Sequence, residues 1–150
     1  MKRLGRFLRL PFSDARLLAE SLFVLTFVRI GLSVLRFQTL RGVLKKLSEG
    51  GKHQPYPERR VVKRVVWSIN KISTHIPLFR NCLNRALATQ VLLGRRGQEV
   101  DLRIGVANDP GGNFRAHAWI ESEGRIVLGG MDDLWQLTPL PTLKLRDLQP

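Results

Sequence analysis

The sequence has very little cysteine: Cys82 is the only one among its 150 residues. One cysteine cannot form an intramolecular disulfide bond, and it excludes zinc or iron–sulfur sites built from several cysteines. A chain of this length can bury a sizeable hydrophobic core, so folding does not require a disulfide. The absence of disulfides is typical of the reducing cytosol, and we therefore expect the protein to be cytoplasmic.

The sequence also lacks a long uncharged apolar run. Near the N-terminus, Arg9 and Pro11 interrupt any apolar segment of a signal peptide, and no small-residue cleavage site follows. The most apolar stretch, residues 17–35, contains Glu20 and Arg29, whereas a membrane-spanning helix needs roughly 20 predominantly apolar residues. We expect neither a signal peptide nor a transmembrane helix.

Acidic residues are scarce, with 12 Asp and Glu against 25 Lys and Arg, and the formal net charge is +13. The imbalance is concentrated in residues 1–64, which carry 15 basic and 4 acidic residues. Such a surplus favours attraction to an acidic partner protein, an acidic peptide, a membrane surface or nucleic acid. The alternative is a solvated helix surface that serves solubility.

The hydrophobic pattern predicts helices in the first two thirds of the chain and strands afterwards. Ser13 and Asp14 indicate the start of a helix over 14–36, and further helices are predicted over 39–49, 58–75 and 82–93. Strands are predicted over 100–107, 114–122 and 125–128, with Glu123 and Gly124 as a two-residue hairpin turn. Helices followed by a small antiparallel sheet predict an α+β fold.

Two residues have the chemistry of a nucleophilic cysteine site. Cys82 lies at the predicted start of a helix, where unpaired N–H groups and the helix dipole stabilise a thiolate, and Arg80 and Arg85 flank it. His117 lies on the second predicted strand and could take the thiol proton. The simpler interpretation is a small core cysteine and a strand histidine that is satisfied by a neighbour.

A third residue usually orients the histidine of such a pair. If the hairpin turn has two residues, the position opposite His117 is Gly130, and a three-residue turn makes it Gly129. The nearest carboxylates are Asp132 and Asp133, and a bulge at residues 129–130 could bring Asp132 back toward His117. Otherwise the orienting group is a backbone carbonyl, a residue from elsewhere, or absent.

Three stretches of the chain form a recognisable set of motifs. They are NCLNRALA at 81–88 with LLGRRG at 92–97, LRIGV at 102–106, and AHAWIE at 116–121 with Gly124 and Arg125. Together they resemble the stand-alone leader peptidase of lasso peptide biosynthesis, a transglutaminase-like cysteine protease known as the "B" protein. The order and spacing agree across about residues 78–128. The Leu- and Arg-rich first helices are similar to the family's N-terminal region more loosely.

The resemblance implies a papain-like or transglutaminase-like core with the cysteine at a helix N-terminus, preceded by helices. It divides the chain into a basic helical region over 1–57 and a cysteine peptidase domain over 58–150. It implies Cys82 as nucleophile and His117 as general base, and it expects an aspartate where this chain has Gly129. Asp132 is therefore the favoured third catalytic residue, ahead of Asp133.

The resemblance further implies removal of the leader from a ribosomally made lasso precursor peptide. A separate leader-recognition protein would present the leader, and an ATP-dependent macrolactam synthetase would close the ring afterwards. No cofactor or metal is expected, because neither His53 nor His75 has a ligand at metal-site spacing and no phosphate-binding loop is present. A transglutaminase-like acyl transferase and a non-catalytic scaffold or basic binding module remain alternatives. Peripheral membrane contact is a further expectation, and nucleic acid is not expected.

Overall fold

The computed structural model describes residues 11–145, in which four α-helices precede a small sheet. The helices are α1 (Phe12–Val34), α2 (Phe37–Ser48), α3 (Arg59–His75) and α4 (Cys82–Gly94). The strands are β1 (Asp101–Asn108), β2 (Phe114–Ser122), β3 (Arg125–Leu128) and β4 (Thr138–Pro139). Short 3₁₀ turns occur at Pro77–Phe79 and Leu134–Gln136. The predicted α+β class is confirmed.

The first helix begins earlier than its sequence pattern predicts. Pro11, not Ser13, precedes the first helical residue, and Ser13 makes no capping hydrogen bond. Proline suits this boundary because its φ is fixed and it has no N–H that must be satisfied. Asp14 does lie in the first turn, where its Oδ1 accepts a hydrogen bond from Arg64 Nη2 of α3 at 2.6 Å.

Helix α4 lies at the centre of the hydrophobic core. All its residues from Ala86 to Leu93 are buried, and helices α1, α2 and α3 and strands β1 and β2 contact it. Helices α1 and α3 are also joined in the interior, where Ser21 Oγ and Ser68 Oγ are 2.7 Å apart. The helices of the N-terminal region therefore share one core with the rest of the chain.

The sheet is antiparallel, with strand order β3-β2-β1-β4. Ser122 pairs with Arg125 across Glu123 and Gly124, whose φ values are 51° and 73°. Positive φ at both turn residues is the geometry of a type I′ hairpin, which confirms the predicted two-residue turn.

The bulge in this hairpin lies nearer to the turn than residues 129–130, where the sequence allows one. Glu121 pairs with Ile126, but Ile120 pairs with Leu128, so Val127 is the extra residue. The bulge therefore occurs inside β3 and not at residues 129–130. Since β3 ends at Leu128, no residue of its ladder pairs with His117. Gly105 of β1 is the ladder partner of His117 on the other side.

Helix α1 has an uncovered apolar side. Phe23 and Val34 are 67% and 72% exposed, whereas Leu25 and Val28 on the same helix are fully buried. An 18-residue window of α1 has a mean hydropathy of 1.8, and 33% of that window is buried. By length and composition alone, α1 is long and apolar enough to cross a membrane, but its other side is buried in the protein core, and the expectation of no transmembrane helix stays a prediction.

Candidate active site

Cys82 is the first residue of α4 and is half-buried. The preceding Asn81 caps the helix, because its Oδ1 accepts hydrogen bonds from the N–H groups of Leu83 at 3.0 Å and Asn84 at 3.2 Å. This cap fixes the first turn and with it the direction of the Cys82 side chain. The sulfur therefore lies at the positive end of the helix dipole, which favours an anionic thiolate.

Arg85 adds positive charge one turn after Cys82. Its Nη2 donates to Asn70 Oδ1 of α3 at 2.6 Å, which ties α4 to α3 beside the cysteine. Burial lowers the pKa of the Arg85 guanidinium, and the charge of Cys82 partly opposes that shift. The guanidinium is therefore within electrostatic range of the sulfur.

His117 is half-buried on β2, and a backbone group orients it. Its Nε2 lies 2.7 Å from the carbonyl oxygen of Gly129, and its ring stacks on Trp119 with centroids 6.2 Å apart. A carbonyl oxygen can only accept, so Nε2 must carry the proton of this hydrogen bond. In the neutral ring, Nδ1 is then the unprotonated nitrogen, which is the form that a general base needs.

Gly129 occupies a position that a side chain would not fit. Its φ is 81°, and an added Cβ would lie 2.9 Å from the carbonyl oxygen of Ala118 and 3.2 Å from Trp119 Cα. The backbone therefore comes close to β2 here because residue 129 is glycine. Where the resemblance expects an aspartate side chain, this chain has a main-chain carbonyl on His117.

The two neighbouring carboxylates have different surroundings. Asp132 is exposed and, within residues 11–145, has no hydrogen bond or ion pair. Asp133 Oδ2 accepts from Arg115 Nη2 at 2.9 Å, and this hydrogen bond lowers the pKa of Asp133, with a smaller contribution from the charge of His117. An ionised carboxylate thus lies within electrostatic range of His117, and it is that of Asp133.

A bulge at residues 129–130 could bring Asp132 toward His117, but the structure shows no hydrogen bond between these two side chains. The physical reason is the position of the bulge: it falls at Val127, and the chain at Gly129 then satisfies Nε2 with a carbonyl before residue 132 is reached. A catalytic role for Asp132 stays a prediction.

The helix that carries Cys82 packs against the strand that carries His117, but the two side chains are not hydrogen-bonded to each other. Helix α4 packs against β2, and Ala118, next to His117, is buried in the core that the helices share. In the described part of the chain, no hydrogen bond links Cys82 Sγ to His117. Catalytic hydrogen bonds often tighten only when substrate binds. Across residues 11–145, no group of three His, Cys, Asp or Glu residues could hold a metal ion.

Replacing Gly129 by alanine is expected to destabilise the protein by about 2–3 kcal/mol, since a positive φ and a close backbone contact both oppose a Cβ. Gly112 is a matched control: its φ is 79° and an added Cβ would meet nothing within 4 Å. Gly112→Ala should cost only the φ term, about 1 kcal/mol. Denaturant midpoints measure both. Equal losses for the two variants would show that residue 129 does not approach β2 closely.

The chain matches a known protein family over most of its length. The model of the transglutaminase-like superfamily matches residues 22–142, which include Cys82, His117 and Gly129. This superfamily includes cysteine peptidases and acyltransferases. No curated protein and no solved structure matches the chain.

Proposed function

The chain belongs to the transglutaminase-like superfamily, and from that premise we propose that it is a cysteine peptidase that removes the leader from a lasso precursor peptide. The observation that carries the proposal is the hydrogen bond from His117 Nε2 to the Gly129 carbonyl, because it leaves Nδ1 free to act as a base. Cys82 at the N-terminus of α4 is the matching nucleophile. The lasso assignment is supported by the motifs at 81–88, 102–106 and 116–121.

The proposed reaction proceeds through a thioester. Cys82 Sγ attacks the carbonyl carbon at the leader–core junction while His117 Nδ1 takes the thiol proton. The backbone N–H of Cys82, which the Asn81 cap does not use, would donate to the oxyanion of the tetrahedral intermediate. Its collapse breaks the C–N bond, and His117 returns the proton to the leaving amine of the core peptide. Water, deprotonated by His117, then hydrolyses the thioester and releases the leader.

The Gly129 carbonyl would hold the imidazole but supplies no full negative charge. In triads, the carboxylate both orients the histidine and stabilises the imidazolium that forms. Here those two tasks would be divided, with Gly129 orienting His117 and the more distant Asp133 contributing charge. We therefore expect a working dyad that is slower than a triad with a directly bonded carboxylate.

The proposed peptidase would act with two partners. A leader-recognition protein would present the precursor, and an ATP-dependent macrolactam synthetase would use the core peptide that is released. The basic surplus of residues 1–64 is our candidate docking surface for the recognition protein or for an acidic leader. We propose a cytoplasmic location.

The uncovered side of α1 supports a proposal of peripheral contact with an anionic membrane, since exposed apolar side chains combined with nearby basic residues favour such surfaces. Phe23→Ser should weaken flotation with phosphatidylglycerol vesicles by about fivefold or more. Phe114→Ser is the matched control, because Phe114 is 71% exposed but belongs to β2 and not to α1. Equal flotation of wild type and both variants, or no flotation at all, would refute membrane contact through α1.

Product analysis tests the peptidase proposal. The cognate precursor and its recognition protein are incubated with the enzyme in H₂¹⁸O, with and without a small primary amine. We expect an intact leader whose new carboxylate carries ¹⁸O, and a core peptide with a free amine. A leader amide formed with the added amine would instead favour an acyl transferase. With the chain folded and the partner bound, no product of either kind would favour a non-catalytic scaffold.

A further inference from the structure

A cavity lies between α3 and the start of α4, the helix whose first residue is Cys82. Its volume is about 330 Å³. It is lined by three polar residues of α3 and by the two arginines that flank Cys82 in sequence: Asn70, Ser73, Thr74, Arg80 and Arg85. Every one of these side chains is polar, and Asn70, Thr74 and Arg80 are exposed, so the cavity opens to solvent.

The two arginines of this cavity have no acidic partner. In the chain from residue 11 to residue 145, neither Arg80 nor Arg85 forms an ion pair, and their hydrogen bonds go to neutral acceptors. Arg80 Nη2 donates to the Thr74 carbonyl at 3.4 Å, and Arg85 Nη2 donates to Asn70 Oδ1. Arg80 is exposed, but Arg85 is half-buried, and a half-buried cation without a counter-charge is costly. The arrangement therefore favours an anion from outside the chain.

Two buried donors of the cavity are also unused. Ser73 is only 4% exposed, and its hydroxyl has no hydrogen-bond partner among the described residues. The Nε–H of Arg85 is likewise buried without a partner in that part of the chain. Buried polar groups are nearly always hydrogen-bonded, so two unused donors on residues that line one cavity point to an acceptor that binds there.

We propose that this cavity is a subsite that binds a carboxylate of the peptide substrate. A carboxylate offers acceptor positions for both guanidinium groups and for the Ser73 hydroxyl, and it matches the planar fork of arginine. This inference rests on the proposed function, since the ligand is a substrate only if the protein is a peptidase. It adds that the peptidase selects peptides with an acidic group near the cleaved bond. That group is either an Asp or Glu side chain or a C-terminal carboxylate.

The first experiment uses alkylation of Cys82, which requires no peptidase activity. N-iodoacetyl glycine, β-alanine and γ-aminobutyrate carry a carboxylate at increasing distance from the reactive carbon, and each is compared with its neutral amide. In every case the Cys82 sulfur forms a bond to carbon and iodide leaves. We expect at least one of the acids to react about tenfold faster than its amide, because charged hydrogen bonds are strong.

Three variants show whether the cavity causes that preference. Arg80→Gln and Ser73→Ala should each reduce it by about threefold or more. Arg60→Gln removes an exposed charge from the far end of α3 and serves as the control. The inference is overturned if no acid is preferred, or if Arg60→Gln lowers the preference as much as Arg80→Gln, because a general positive field would then explain it. Ser73→Ala leaves the charge unchanged, so its effect separates a built site from that field.

The second experiment identifies the source of the carboxylate. Precursor peptides with single Asp→Asn or Glu→Gln changes near the junction, and one with a C-terminal amide, are compared by KM and kcat. A raised KM for an Asn or Gln peptide assigns a side chain, and a raised KM for the amide assigns the C-terminus. Cleavage at equal rates for all peptides overturns the subsite. Absence of cleavage of every peptide counts against the proposed function instead, and the alkylation result still stands.

Discussion

Cys82→Ala is expected to abolish leader release, lowering the single-turnover rate by about 10⁴-fold or more, as removal of a catalytic nucleophile does. The thioester cannot form without the sulfur, and no other cysteine is present in the chain. Mass spectrometry of the precursor over time, with the recognition protein present, measures the rate. Cys82→Ser should also be inactive, because a hydroxyl is a far weaker nucleophile beside an imidazole that was placed for a thiol.

The control for this experiment is the free energy of unfolding of the Cys82→Ala protein. Cys82 is half-buried at a helix end, so its replacement by alanine should change the free energy of unfolding by less than about 1 kcal/mol. Residual leader release by a well-folded Cys82→Ala protein, at a rate near that of wild type, would refute nucleophilic catalysis by this residue.

His117→Gln is expected to lower the rate of leader release by about 10³–10⁴-fold. Glutamine can still donate an N–H to the Gly129 carbonyl, so the local backbone should persist, but it offers no base for the thiol proton. The comparison of kcat with KM is informative: kcat should fall while KM changes little. A raised KM with an unchanged kcat would instead indicate that His117 contacts the substrate without transferring a proton.

Variants of Asp132 and Asp133 distinguish two ways of orienting His117. The sequence favours Asp132 as the third catalytic residue, whereas the structure has the Gly129 carbonyl on His117. If the Gly129 carbonyl orients His117, Asp132→Asn should leave the rate within about twofold, whereas Asp133→Asn removes a charge near the imidazole and should lower the rate severalfold. A loss for Asp132→Asn as large as that for His117→Gln would restore Asp132 as the third catalytic residue.

Much of this fold could be predicted because its local signals agree with one another. Strands β2 and β3 have the predicted bounds, since Glu123 and Gly124 fix a two-residue turn and the flanking residues alternate. The 3.6-residue spacing of apolar side chains predicts helix α3, and Val62, Val65, Ile69 and Ile72 are buried. In both cases, short-range sequence determines the structure.

The parts that could not be predicted depend on backbone position or on distant packing. A bulge at Val127 requires no particular side chain, so only the structure shows where the register of β3 shifts. The contact of Gly129 with His117 is made by a carbonyl, which every residue has. Two features of the sequence point to this contact: residue 129 is a glycine, and counting residues from the hairpin turn puts position 129 or 130 opposite His117. The cavity at Ser73 and Arg85 exists only because α3 and α4 pack together.

The most direct test of the central claim is the alkylation rate of Cys82 by iodoacetamide at about pH 6, where free thiols react slowly. It requires no substrate, and the single cysteine makes the signal unambiguous. If Cys82 and His117 act as a pair, wild type should react at least about tenfold faster than glutathione, and His117→Gln should lose most of that advantage. Equal rates for wild type, His117→Gln and glutathione would contradict a catalytic pair.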